Sequence, residues 1–354
     1  MTICYFGDFD REYSRNRVII KGLRENGVEV LLCNERLSGW RLWRALARKH
    51  KALRGKYDVM IVGYSDSRFI VPLAKLLSKK PIVWDAFYSL YDSFIFDRKL
   101  ASSLSLKVAY YWFFDWFSCV LADKVLLDTN AHIEYFVKTF GVSRSKCVRV
   151  LVGTDDKIFY PRESRERPHA FTVHFHGKFI PLQGVEYILK AASLLKNEQI
   201  AFRMVGKGQE YRRARKLADE YALNNVEWID RVSYHELADL IVQTDIVLGI
   251  FGNTPKARRV IPNKVYEGIA MGKAVISADT PAVRELFQDK ENILLCAVAD
   301  GDDLARKIAE LREDVSLRER IAKGGRALFM RNASPNVIGK ALFEHMVGLE
   351  KEKG

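Results

Sequence analysis

Twelve short apolar runs, most of them followed by a longer stretch with helical spacing, pass through the chain in two series, and this alternation restricts the fold more than any other feature. In the first series, Ile3 to Phe6, Val28 to Cys33, Val59 to Gly63, Ile82 to Asp85, Lys124 to Asp128 and Cys147 to Leu151 read as strands. Helical patterns near Asn16 to Asn26, Trp40 to Leu53, Arg68 to Leu77, Ser102 to Leu121 and Ala131 to Phe140 separate them. Runs this short and this apolar suit strands covered on both faces. A helix between successive strands returns the chain to the same edge, so the strands lie parallel and ligands are expected beyond their carboxyl ends. The second series repeats the grammar at Thr172 to His176, Ala201 to Val205, Val226 to Ile229, Ile246 to Ile250, Ala274 to Ser277 and Ile293 to Cys296, with no sequence repeat relating the halves.

A chain of 354 residues exceeds one ordinary core. The charged stretch Pro161 to Pro168 lacks apolar periodicity and reads as a linker. The expected organisation is therefore a domain over 1–160, a linker over 161–169 and a second domain over 170–333. A last helix, within 334–354, would return to pack on the first domain. Apolar residues at 48% and charged ones at 29% exclude a wholly disordered chain. The five cysteines are scattered without a C-x-x-C pair, which argues for a reducing compartment and against structural zinc. No leader is expected from Met1 to Asp8, so a cytoplasmic location follows. The apolar stretch Val108 to Ala122 is interrupted by Asp115 and is shorter than the ~20 residues a membrane span needs.

The net charge of +13 sits mainly in the first half, where residues 1–160 hold 26 basic against 17 acidic side chains. Between 36 and 57 there are eight Lys or Arg and no acid, with Arg41, Arg44 and Arg48 at helical spacing among Trp40 and Trp43. That composition suits a peripheral helix on an anionic membrane surface as well as an ordinary solvated face.

The chemistry concentrates in the second half. Pro262 opens a short helix that carries Lys264 and Glu267 in its first turns, Gly272 ends it, and Thr280-Pro281 opens the next. A helix N-terminus offers unpaired N–H groups and partial positive charge to a diphosphate, Lys264 adds a full charge, and a nearby carboxylate accepts ribose hydroxyls. Glu267 alone is equally consistent with a structural role at that helix start. His176-Gly177-Lys178 through Gln183-Gly184, and Val205-Gly206-Lys207-Gly208, are strand-to-helix turns that let backbone approach phosphate. In the first half, Asp85 ends a strand where parallel sheets carry functional groups; the competing reading makes it a helix cap or a partner of Arg98. Asp8-Phe9-Asp10 follows the first strand and is a poor match for a metal-binding Asp-x-Asp motif. His132 and His176 read as structural histidines.

In their order these pieces resemble the retaining glycosyltransferases of family 4, most closely over 170–330 and more loosely over 1–160. The resemblance implies the GT-B fold, α/β with two Rossmann-like domains whose parallel sheets face a central cleft. It implies a donor pyrophosphate held by Gly177, Lys178 and Gln183, the last standing where a second lysine is usual. Glu267 matches the second of the family's paired glutamates, which holds the donor ribose, and Arg259 stands where the first is found. Asn263 and Lys264 look like a branch in which the lysine faces the phosphates. Gly206 and the loop with Arg231 and Val232 complete the donor set. Gly7 matches the first-domain glycine, with Arg15 and Asn16 as acceptor-side candidates.

The resemblance therefore implies transfer of a sugar from a nucleoside-diphosphate donor to a sugar or lipid-linked acceptor, with retention and with neither metal nor cofactor. Asp85, Lys178 and Lys264 are the catalytic candidates. Two rivals remain at this point: a basic nucleic-acid-binding protein, which leaves the phosphate loops unexplained, and a donor-binding module without transfer activity.

Overall fold

The computed structural model describes residues 1–65, 67–97, 105–163 and 170–353. The chain divides into two compact units, Met1–Asp155 with Asn332–Gly354, and Asp156–Arg331.

Among the described residues, the first unit is built on a six-stranded sheet of β1 (Thr2–Gly7), β2 (Glu29–Asn34), β3 (Val59–Val62), β4 (Ile82–Asp85), β5 (Lys124–Leu127) and β6 (Cys147–Arg149). All neighbours pair in parallel, in the order β2-β1-β3-β4-β5-β6. Between them run α1 (Ser14–Glu25), α2 (Gly39–Leu53), α3 (Ile70–Leu77), α4 (Leu106–Leu121) and α5 (Asn130–Phe140). Side chains alternate across a strand, so β1 serves two cores at once. Ile3 and Tyr5 pack with Val18, Ile19 and Leu23 of α1, whereas Cys4 and Phe6 pack with Leu42 and Leu46 of α2 and Ile70 of α3. The helix expected from Ser102 is described from Leu106, where the Ser105 hydroxyl caps it by accepting from the Lys107 N–H; 102–104 lie outside the described residues.

The second unit holds β7 (Phe171–His176), α6 (Val185–Leu194), β8 (Ile200–Val205), α7 (Tyr211–Glu220), β9 (Val226–Ile229), α8 (Tyr234–Val242), β10 (Ile246–Leu248), α9 (Asn263–Ala270), β11 (Ala274–Ala278), α10 (Pro281–Arg284), β12 (Leu294–Cys296), α11 (Gly301–Glu313) and α12 (Val315–Asn332). Its sheet is also six-stranded and parallel among the described residues, in the order β12-β11-β10-β7-β8-β9. The switch of direction lies between β7 and β10, where doubly wound sheets open a crevice. Phe175, Ile188, Phe202, Ile246, Ile276 and Ile308 form the heart of its core.

The unit boundary falls at Asp155/Asp156, ahead of the linker expected over 161–169. Lys21 Nζ pairs with Asp155 at 2.5 Å in the first unit, whereas Arg162 pairs with Asp239 at 2.6 Å in the second. Residues 164–169 of the expected linker lie outside the described residues. The last helix, α13 (Pro335–Lys353), runs along α1 and buries Ile338, Leu342, Met346 and Leu349 in the β1 core. Gly339 permits that approach, because a Cβ there would lie 2.1 Å from the Gly22 carbonyl oxygen.

Candidate functional site

The carboxyl edge of the second sheet gathers most of the residues expected to hold a donor. β7 ends at His176, and the next residue, Gly177, has φ +145, a conformation that glycine adopts without strain. A Cβ at Gly177 would lie 3.0 Å from Lys264 Nζ, so the turn leaves space that the lysine head group fills. Gly206, at the end of β8, packs on the Gly177 carbonyl. α9 begins at Asn263 with Pro262 as its cap residue, and no side chain caps its first turn.

Lys264 is buried. Its ammonium donates to Gln183 Oε1 and sits 4.0 Å from the centre of the Phe175 ring. Burial pulls its pKa down from 10.5 to about 7, against an opposing pull from Glu267. Gln183, expected on the donor side, thus accepts a hydrogen bond from Lys264. Glu267, one turn along α9, is buried as well, and His176 Nε2 lies 2.6 Å from its Oε2. His176 Nδ1 in turn faces His174 Nε2 at 3.1 Å. Burial, reinforced by His176, Arg203 and Lys264, holds the His174 imidazole well below the ordinary histidine pKa and hence neutral. A relay of two imidazoles therefore braces the carboxylate. The His176 contact is long-range, ninety-one positions from Glu267, and its one legible sign was the repeated histidine on alternate residues of β7.

The remaining donor candidates lie on the same edge. Lys178 is exposed in the loop after β7. Arg231 is exposed and Val232 half-buried in the loop after β9, beside Asp230, which pairs with Lys207 at 2.7 Å. Arg259 belongs to a short turn, Ala257–Arg259, ahead of α9.

The first sheet places the three acceptor-side candidates, Asp85, Arg15 and Asn16, below its surface. Asp85 does not present an open carboxylate: it is buried, and Arg15 grips it through Nε and Nη2, the latter at 2.9 Å. Arg15 is equally buried and donates its remaining nitrogen to the carbonyls of Val150, at 2.6 Å, and Leu151, at 3.0 Å. Arg15 and not Arg98, which lies outside the described residues, is the partner. Asn16 is buried too, accepting from Tyr5 Oη at 3.0 Å and donating to the carbonyls of Asp10 and Tyr64. These side chains build the floor of the edge rather than its surface. Gly7 ends β1 beside Ile70 and Phe9.

Above that floor stand residues the sequence did not single out. Tyr13, Tyr64, Phe87 and Tyr88 are half-exposed and in mutual ring contact, with Tyr64 4.9 Å from Tyr13, 4.9 Å from Phe87 and 5.3 Å from Tyr88. Phe87 has φ +52, a strained conformation for a bulky residue, and the Arg15 guanidinium lies 5.4 Å from its ring centre. His132, at the start of α5, is buried with Nδ1 2.7 Å from Asp128 and, among the described residues, no partner on Nε2. Asp8 and Asp10 are engaged by Ser67 and Arg36. Among the described residues, no group of His, Cys, Asp and Glu is arranged to hold a metal ion.

Residues 156–328, just under half of the chain, match the family model described as Glycosyl transferases group 1. An uncharacterized glycosyltransferase of Methanocaldococcus jannaschii is 24% identical over 183 residues, which are 52% of this chain and 48% of that protein. The chain thus spans about half the length of the curated relatives it matches. Among solved structures, sucrose-phosphate synthase from Thermosynechococcus elongatus superposes with a TM-score of 0.78 at 15% identity, covering 100% of both chains. Anabaena HepE in complex with UDP and glucose gives 0.72 at 15% identity, covering 98% of this chain and 99% of that one. The structural likeness is one of fold, the GT-B class, and the matches together support the glycosyltransferase superfamily.

Proposed function

We propose that the protein transfers a sugar from a nucleoside-diphosphate donor, held at the carboxyl edge of the second sheet, to an acceptor hydroxyl held by the first unit. The observation that carries this reading is the buried Lys264, placed at the uncapped start of α9 against the Gly177 turn, with Glu267 braced by His176 one turn on. A bound nucleoside diphosphate suits each of these groups: phosphate oxygens for Lys264, Lys178 and the helix N–H groups, ribose hydroxyls for Glu267, and the base beside Arg231 and Val232. A relative in fold, Anabaena HepE, is described with UDP and glucose bound, which supports a nucleotide-sugar donor.

Within the superfamily we place the chain with the retaining, metal-independent transferases of family 4, on the motif order over 170–330. In the transfer, the bond from the anomeric carbon to the diphosphate oxygen breaks as the bond to the acceptor oxygen forms on the same face. The acceptor proton passes to a phosphate oxygen of the leaving nucleoside diphosphate. Lys178 and Lys264 stabilise the charge that the leaving group gains, an effect of the kind worth about 3–4 kcal/mol per donor in a preorganised site. Tyr13, Tyr64, Phe87 and Tyr88 offer ring faces on which the C–H face of a sugar acceptor can lie.

Incubation with a panel of sugar nucleotides and candidate saccharide or lipid-linked acceptors, scoring free nucleoside diphosphate and product by mass spectrometry, tests the reading. Acceptor-dependent release that Glu267→Ala and Lys264→Met abolish is the expected result. Tight donor binding without release under any acceptor would reduce the protein to a donor-binding module, and no binding of any sugar nucleotide would overturn the proposal.

A further inference from the structure

α4 rests Trp112 and Trp116 against the core of Phe136 and Phe140 on α5 but turns the rest of its aromatic surface outward. Its buried residues are Asp115, Ser118 and Cys119, while Tyr110, Phe113 and Val120 are exposed and Trp112, Phe114, Trp116 and Phe117 only partly covered. A helix packed on a sheet and facing water normally shows the reverse arrangement, with its apolar stripe inward. The outward rings continue onto the neighbouring helices. Phe114 meets Phe69 at the start of α3 at 4.7 Å, and Phe69 meets Trp43 of α2 at 5.7 Å. Trp40, at the N-terminal end of α2, is 62% exposed. α2 buries a single stripe, Leu42, Ala45, Leu46 and His50, and turns its arginines away from the core. The Arg44 and Arg41 guanidinium groups lie 5.4 Å and 5.9 Å from the Trp40 ring, and Arg68 lies 5.1 Å from Tyr110. Aromatic and cationic side chains are thus interleaved over one continuous face of the first unit.

We propose that this face of α2, α3 and α4 docks on an anionic lipid surface, with the rings entering the headgroup region and Arg41, Arg44 and Arg48 meeting lipid phosphates. Charge complementarity selects the occupant. A second copy placed symmetrically on the same face would set the exposed Arg41, Arg44 and Arg48 of one copy against those of the other, which is unfavourable without a counter-charge. A nucleic-acid backbone would answer the cations but leave Phe113 and Val120 exposed to no purpose. Tyrosine and tryptophan beside arginine are the side chains that settle at a membrane interface. Among the described residues no helix is long and apolar enough to cross a membrane, so the contact is peripheral.

The test is flotation of the full chain with vesicles of phosphatidylcholine alone and of phosphatidylcholine containing phosphatidylglycerol. Binding to the anionic vesicles should exceed binding to the neutral ones at least tenfold and weaken in high salt. The triple variant Arg41→Glu, Arg44→Glu, Arg48→Glu should lose most of it, at about fivefold per cation removed. Trp40→Ser with Trp43→Ser should lower quenching by brominated lipid, while circular dichroism and nucleoside-diphosphate binding, which use none of these side chains, stay unchanged. Equal binding to both vesicles, or none, would overturn the proposal. So would a dimer broken by the same substitutions in protein that ignores vesicles, or preference for a DNA duplex over anionic lipid.

Discussion

At the scale of single residues, the account turns on groups whose burial makes their partners matter. Lys264 has a pKa near 7 in the folded protein and an ordinary one near 10.5 when unfolded, so between these values the unfolded chain binds more protons. The sign follows: stability should rise as pH goes from about 7 toward 10.5, and Lys264→Met should flatten that rise in denaturation curves taken across the range. A bound diphosphate favours the ammonium form, so binding at pH 8 should take up a proton. Calorimetry in buffers of different ionisation enthalpy would show this uptake, and Lys264→Met should abolish it; buffer-independent heats would count against diphosphate contact. The Arg15–Asp85 pair makes a different demand. Removing one member leaves a buried charge alone, at a cost of about 3–5 kcal/mol, so Asp85→Ala should lower stability by that amount. Replacing both by apolar residues should restore much of it. Neither pairing could be read in the chain, because the partners lie seventy positions apart for Arg15 and Asp85 and ninety-one for His176 and Glu267. Lys264, Glu267 and Gly177 were legible because their chemistry is written locally, as a proline-opened helix and a glycine turn at a strand end.

At the scale of elements, period made the strands and the helices of the first half readable to within a few residues. Val226 to Ile229 and Ile82 to Asp85 agree end for end with β9 and β4, since short β-branched runs between turn residues have few alternatives. What the pattern could not supply was direction. In α4 the fully buried residues are Asp115, Ser118 and Cys119, while Trp112 and Trp116 rest on the α5 core and Tyr110 and Phe113 face outward, a division that the aromatic run does not reveal. α13 shows how much an element gains from tertiary contact. Leu342 is fully buried against the β1 core, so Leu342→Ala should cost about 2–5 kcal/mol in urea denaturation, whereas the exposed Glu350 should tolerate replacement. The loop elements at the carboxyl edge of the first sheet carry a separate expectation. Tyr64→Ala should raise KM for a saccharide acceptor several-fold with little change in donor affinity, and an unchanged KM would remove the ring cluster from acceptor binding.

At the scale of the whole molecule, the chain forms two units with separate cores, and the proposed transfer assigns the donor to one and the acceptor to the other. Doubly wound sheets were legible from alternation alone, because a parallel sheet forces a crossover between strands. The boundary at Asp155 was less legible, since Asp155 is held by Lys21, a contact between distant parts of the chain. The central claim concerns the second unit, and a crystal structure of the full chain with a bound nucleoside diphosphate tests it most directly. The account predicts the diphosphate at the start of α9, against the Gly177 turn and within hydrogen-bond reach of Lys264, with the ribose hydroxyls on Glu267. A diphosphate bound elsewhere, with Lys264 still on Gln183 and Glu267 still closed by His176, would contradict it.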